Sequence, residues 1–231
     1  MNVYAISDLH LSGFAHKPMD IFGEQWAGHW DKIKESWLSI VQPDDIVLIP
    51  GDISWAMRLD EAKVDLDEVC GLPGTKLIIK GNHDYWWGSL SQVEALLSNS
   101  TYVLQNNSRR FGDIVFAGSR GWTAPGSKQY DPAEDEKIYI REAGRLELSL
   151  KHARKIAPDA RLICMMHFPP ADSNGAPTLY TQLFEQYGAT DVIYGHLHAA
   201  SIRGALSGTV RGVRYTLASC DATDFKLVRI I

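Results

Sequence analysis

The chain has 231 residues, 45% of them hydrophobic, enough to bury a sizeable core, and it reads as a single domain over residues 1–231. A net charge of −5 with no basic block argues against a general nucleic-acid footprint, and three singly spaced cysteines support neither a disulfide framework nor a zinc knuckle. The first residues enter a strand pattern without a charged leader and no apolar run nears the ~18 residues of a membrane span, so a cytoplasmic protein in a reducing compartment is expected.

The first predicted strand, Val3-Tyr4-Ala5-Ile6, leads into Asp8-Leu9-His10 and an irregular loop over residues 8–20. A helix is predicted over residues 25–41, where Trp26, Trp30, Ile33, Trp37 and Ile40 recur at three- and four-residue spacing as a core stripe. Pro43-Asp44-Asp45 breaks it before a second strand, Ile46-Val47-Leu48-Ile49, which leads to Gly51-Asp52. An acidic segment over residues 59–69 reads as a solvated helix. Lys76-Leu77-Ile78-Ile79 is then a third strand ending in Gly81-Asn82-His83-Asp84, where Gly81 is expected to take backbone angles that a Cβ resists. A helix over residues 90–97 and strands over 102–104 and 114–117 follow, with Asn106-Asn107 as turn chemistry.

Residues 118–135 form the long connection of the chain, a candidate substrate wall or lid, or a simple connector. A helix over residues 133–157 carries Glu142, Arg145, Glu147 and Lys151 as a solvated face. The strand Leu162-Ile163-Cys164-Met165 leads to His167, and Val192-Ile193-Tyr194 leads to Gly195-His196-Leu197-His198. Short β-type runs over residues 201–204, 213–217 and 225–230 suggest a second sheet closing against the first.

Five strands thus end in side chains of the kind that bind metals, at the carboxyl ends of strands, beyond which ligands bind in open α/β sheets. Most of the eight histidines fall in these motifs. Asp8, His10, Asp52, Asn82, His167, His196 and His198 make an oxygen- and nitrogen-donor set without thiolate, suited to Mn, Fe or Zn. Seven donors exceed one tetrahedral site and suit two divalent ions sharing a carboxylate, an arrangement that leaves net positive charge for an anionic phosphate ester.

The order D-x-H, GD, GNHD, a lone His and GHxH, spread from residue 8 to residue 198, resembles the calcineurin-like metallophosphoesterases, and Ser7-Asp8-Leu9-His10-Leu11 is similar to their bacterial branch. The resemblance implies a four-layer α/β/β/α sandwich of two mixed sheets. It further implies that Asp8, His10, Asp52 and His198 hold one metal and Asp52, Asn82, His167 and His196 the other. His83 then stays off the metals, contacts the substrate phosphate beside Asn82 and protonates the leaving oxygen, while hydroxide bound to the metals attacks phosphorus. The aspartate and arginine that follow GD in phosphoprotein phosphatases are here Trp55 and Ala56, which argues against a phosphoprotein substrate.

Asp84 is a candidate support for His83, and Arg58 and Arg120 are candidate phosphate cations, although both also suit ordinary surface roles. Trp55, Trp86, Trp87 and Trp122 follow predicted strands, and the first three are candidate contacts to the organic part of a small phosphate ester, or core. The expectation is a phosphohydrolase acting on a monoester or diester of a small molecule, with no membrane partner. A non-catalytic binding module on the same fold and a nuclease are the alternatives, the latter disfavoured by the acidic balance.

Overall fold

Apolar runs bounded by turn residues become strands in a computed structural model that describes residues 1–98 and 100–231. In chain order the elements are β1 (Val3–Ala5), α1 (His29–Ile40), β2 (Ile46–Ile49), α2 (Leu59–Gly71), β3 (Thr75–Ile78), α3 (Leu90–Glu94), β4 (Thr101–Val103), β5 (Ser108–Phe111), β6 (Ile114–Ser119), α4 (Pro132–Ile156), β7 (Arg161–Met166), α5 (Leu179–Gln186), β8 (Ala189–Tyr194), β9 (Gly208–Val210), β10 (Val213–Leu217) and β11 (Val228–Arg229). They make two mixed sheets with helices, the α/β class expected. Two compact units divide them, one of Met1–Val103 with Ala218–Ile231 and one of Leu104–Leu217. No helix among the described residues is long and apolar enough to cross a membrane.

In the first unit the sheet order is β11-β1-β2-β3-β4, with β1 to β4 parallel and β11 antiparallel to β1. The run over residues 225–230 therefore completes this first sheet, where a place in a second sheet was expected. Helix α1 starts at His29, later than predicted, because Gly28 takes a left-handed φ of 62° and two short 3-10 turns precede it. Its stripe is core as expected: Trp26, Ile33 and Trp37 are buried, with Trp30 and Ile40 packed against them. Helix α2 is less solvated than its acidity suggests, since Ala62, Leu66 and Val69 are buried together with Asp65.

The second unit's sheet has the order β5-β6-β7-β8-β10-β9, in which β6, β7, β8 and β10 are parallel and both edges antiparallel. Edge strand β5 is hard to read in the sequence because Arg109 and Arg110 occupy its middle, charge that protects an open edge. Helix α4 buries Tyr139, Ala143, Leu146, Leu150 and Ala153 along one face, starting at Pro132 with the Asp131 carboxylate accepting from the Ala133 N–H. Glu142, expected on a solvated face, is instead 1% exposed and accepts from Arg145 at 2.7 Å. Residues 201–204 are likewise no strand. The Ser201 hydroxyl receives the His198 N–H and donates to the His198 carbonyl, starting a 3-10 turn over Ala199–Gly204.

Candidate metal centre

In the first unit, parallel pairing continues past the ends of β1 and β2 and sets the two candidate ligand loops side by side. The Asp8 N–H donates to Gly51 O, His10 to Asp52 O and Leu11 to Ile53 O, while Trp55 N–H returns to Leu11 O. Asp8, His10 and Asp52 sit at φ of 61°, 47° and 53°, a left-handed backbone that side chains rarely adopt. Such strain persists only where surrounding bonds enforce it and collects at functional sites. The outcome is convergence. Asp8 offers a donor atom within 4.8 Å of one on His10 and, separately, of one on Asp52, and His10 Nε2 lies 3.9 Å from Asp52 Oδ2. All three residues are at most 4% exposed. Buried carboxylates and imidazole at this spacing fit a divalent cation, which would neutralise charge that is costly to bury.

The Gly81–Asp84 turn braces this pair of loops. Asp84 is fully buried and does not support His83 as one reading of the sequence suggested. Its Oδ1 accepts from the Ile53 and Ser54 N–H groups and the Trp86 indole, and its Oδ2 from Asp52 and Gly81. Burial pushes this carboxyl upward in pKa and the N–H donors oppose it. Gly81 is required for space and not for its backbone angles: its φ is not positive, and a Cβ there would overlap the Asp52 carboxylate and N–H. The chain therefore passes close enough for the His83 N–H to donate to Asp52 Oδ1 at 2.8 Å. Asn82 is half-buried in the same turn. Asp65 of α2 adds a second brace, accepting from the Gly13 N–H and the Ser54 hydroxyl, with its pKa raised by burial.

Trp55 is half-buried, stacked on His10 at 4.7 Å between ring centroids and tilted against His83 at the same distance. Trp86 and Trp87, expected with it as substrate contacts, are 2% and 7% exposed and pack into the core. Arg58 is tied to Asp60 and Glu61 at the start of α2, and neither it nor Arg120 is a free cation. Lys17, which no motif marks, places its ammonium 3.2 Å from the Trp55 ring centroid, a cation–π contact. His29 serves the loop: its Nε2 bonds Leu9 O, and burial lowers its pKa.

In the second unit, His167 follows β7 and is fully buried, its ring edge-on to His196 at 5.2 Å. The Gly195 N–H donates to His167 O, linking the ends of β7 and β8. His196 has a left-handed φ of 72° and lies against Phe168 at 4.2 Å, and His198 caps the following 3-10 turn. Arg120 pairs with buried Glu142 at 3.5 Å and lies over Trp122, whose indole donates to Asp135. A cavity of about 660 Å³ opens beside His196, walled in part by Thr123, Ala124 and residues 126–129 of the long connection.

A family profile described as calcineurin-like phosphoesterase matches residues 1–200. No curated protein matches the chain. Among solved structures, the phosphopantetheinyl hydrolase of Mycobacterium tuberculosis is similar at a TM-score of 0.60 and 15% identity, covering 100% of this chain and 95% of its own. A protein of unknown function from Aquifex aeolicus is similar at 0.54 and 16% identity, with 99% and 95% covered. At these identities the likeness is one of fold.

Proposed function

The chain belongs to the calcineurin-like phosphoesterase family, and from that premise we propose that it is a metal-dependent hydrolase of a phosphomonoester or phosphodiester of a small organic molecule. The observation that carries the reading is the convergence of Asp8, His10 and Asp52 from two adjacent strand ends on left-handed backbone. The proposed ligands of two divalent ions are these three, Asn82, His167, His196 and His198, with Asp52 serving both. Bound there, such ions would acidify a water molecule and offset the charge of a phosphate.

The remaining work falls to side chains around Asp52. The His83 imidazole hands a proton to the departing oxygen, and its main chain is positioned by the bond to Asp52. Lys17, steadied on Trp55, supplies a positive charge for the phosphate or its ester oxygen, the task that neither Arg58 nor Arg120 is free to perform. The hydrolase of the same fold acts, by its name, on a phosphopantetheinyl group, a phosphate on an organic arm, which is compatible with this substrate class.

Screening the Mn-loaded protein against monoesters, diesters and nucleotide pyrophosphates tests the reading; no hydrolysis of any would reject it. Asp52→Ala is expected to lower metal content from about two ions per chain to less than one, because one carboxylate serves both. Elemental analysis giving a single ion in fully active parent protein would overturn the two-metal arrangement. Lys17→Ala is expected to raise KM about tenfold, the worth of a hydrogen bond to a charged group, with a smaller change in kcat. An unchanged KM would return Lys17 to the surface.

A further inference from the structure

The cavity beside His196 differs chemically from the metal-ligand cluster. Its lining includes apolar Phe168, Pro169 and Leu197, buried or half-buried, and the exposed cations Lys128 and Arg203. Among the described residues neither cation has an ion-pair or hydrogen-bond partner. The one carboxylate in the lining, Asp172, is occupied by its own turn, accepting from the Asn174 N–H at 3.1 Å and the Ala176 N–H at 3.3 Å. The volume, about 660 Å³, falls within the range of pockets that enclose a small organic ligand.

From this we infer that the cavity is the specificity subsite for the organic part of the substrate, and that this part carries a second anionic group held by Lys128 and Arg203. The inference rests on the phosphoesterase reading for its reaction, not for its binding chemistry. His196 lines the cavity, so a ligand filling it has one end at a proposed metal ligand. Apolar walls receive the body of such a molecule. Lys128 and Arg203 outweigh the single Asp172 carboxylate, which accepts from its own turn, so the lining keeps a net positive charge that favours an anion over a neutral polar tip. The substrate class is thus an organic phosphate bearing a further phosphate or carboxylate, as distinct from a simple alkyl or aryl phosphate. Residues 126–129 of the long connection serve as a wall of the subsite.

Adenosine 3′,5′-bisphosphate and adenosine 5′-monophosphate share one organic body and differ by one anionic group, so the pair isolates the second anion. Calorimetric titration of metal-free protein is expected to show the bisphosphate binding at least about tenfold more tightly, the worth of one charge-assisted contact. In a Lys128→Ala/Arg203→Ala variant the ratio should fall to within about threefold. With Mn-loaded protein, the ratio of KM values should collapse in the same way. Both residues are exposed, so circular dichroism should show an intact fold. Equal affinity of the parent for the two nucleotides, or a ratio that survives the double substitution, overturns the inference. Hydrolysis of p-nitrophenyl phosphate tests the phosphoesterase reading alone: activity there without nucleotide discrimination sinks the subsite and spares the enzyme. Discrimination without any turnover does the reverse.

Discussion

His83→Ala is expected to lower kcat by about 10²–10⁴-fold on an alkyl phosphate while metal content stays near that of the parent. The metals should be spared because the His83 link to Asp52 runs through the backbone N–H, which alanine retains. What is lost is the imidazole, placed against Trp55 and 5.8 Å from His10 between ring centroids. An alkoxide leaving group needs a proton in the transition state, whereas p-nitrophenolate departs readily as an anion. The defect should therefore shrink on nitrophenyl esters. Kinetics of the variant on one ester of each kind separates the roles: an equal loss on both would assign His83 to holding phosphate and remove it as the acid.

Much of the candidate site is legible in the sequence because within each sheet parallel strands bring their carboxyl ends side by side, and the candidate ligand residues follow strands whose apolar runs are plain. Ile46–Ile49 was readable to the residue, and Val213–Leu217 likewise. What the pattern hides is the work done by bonds to backbone. Asp84 reads as one more polar residue after GNH, yet it accepts from main-chain groups some thirty residues earlier. Lys17 and Lys128 lie in irregular loops, where no periodicity says which way a side chain points. Glu142 misleads for the opposite reason: helix α4 has charges on several faces, and only the packing of Arg120 and Arg145 around it separates a buried carboxylate from solvated ones. Trp86 and Trp87 follow a ligand turn as Trp55 follows another, and sequence position alone does not separate an indole in the core from one beside His10 and His83.

Asp84→Ala is expected to destabilise the protein by about 3–5 kcal/mol and to lower its metal content, an effect beyond that of ordinary point substitutions. The carboxylate accepts from four backbone N–H groups and one indole in a fully buried setting. Leaving buried donors without an acceptor costs about 1–3 kcal/mol each before water entry and relaxation reduce the sum. Asp84→Asn should also be costly: the amide has nearly the same shape, but its NH2 must face either the Ile53 and Ser54 donors or the Asp52 and Gly81 donors. Gly81→Ala approaches the same junction by crowding, since its Cβ would displace Asp52. Urea unfolding and elemental analysis of the three variants decide the matter. If Asp84→Asn keeps parent stability and metal content and loses only turnover, Asp84 acts through His83 and is not the brace of the ligand loops. If all three lose stability and metal together, the left-handed backbone at Asp52 is held by the Gly81–Asp84 turn.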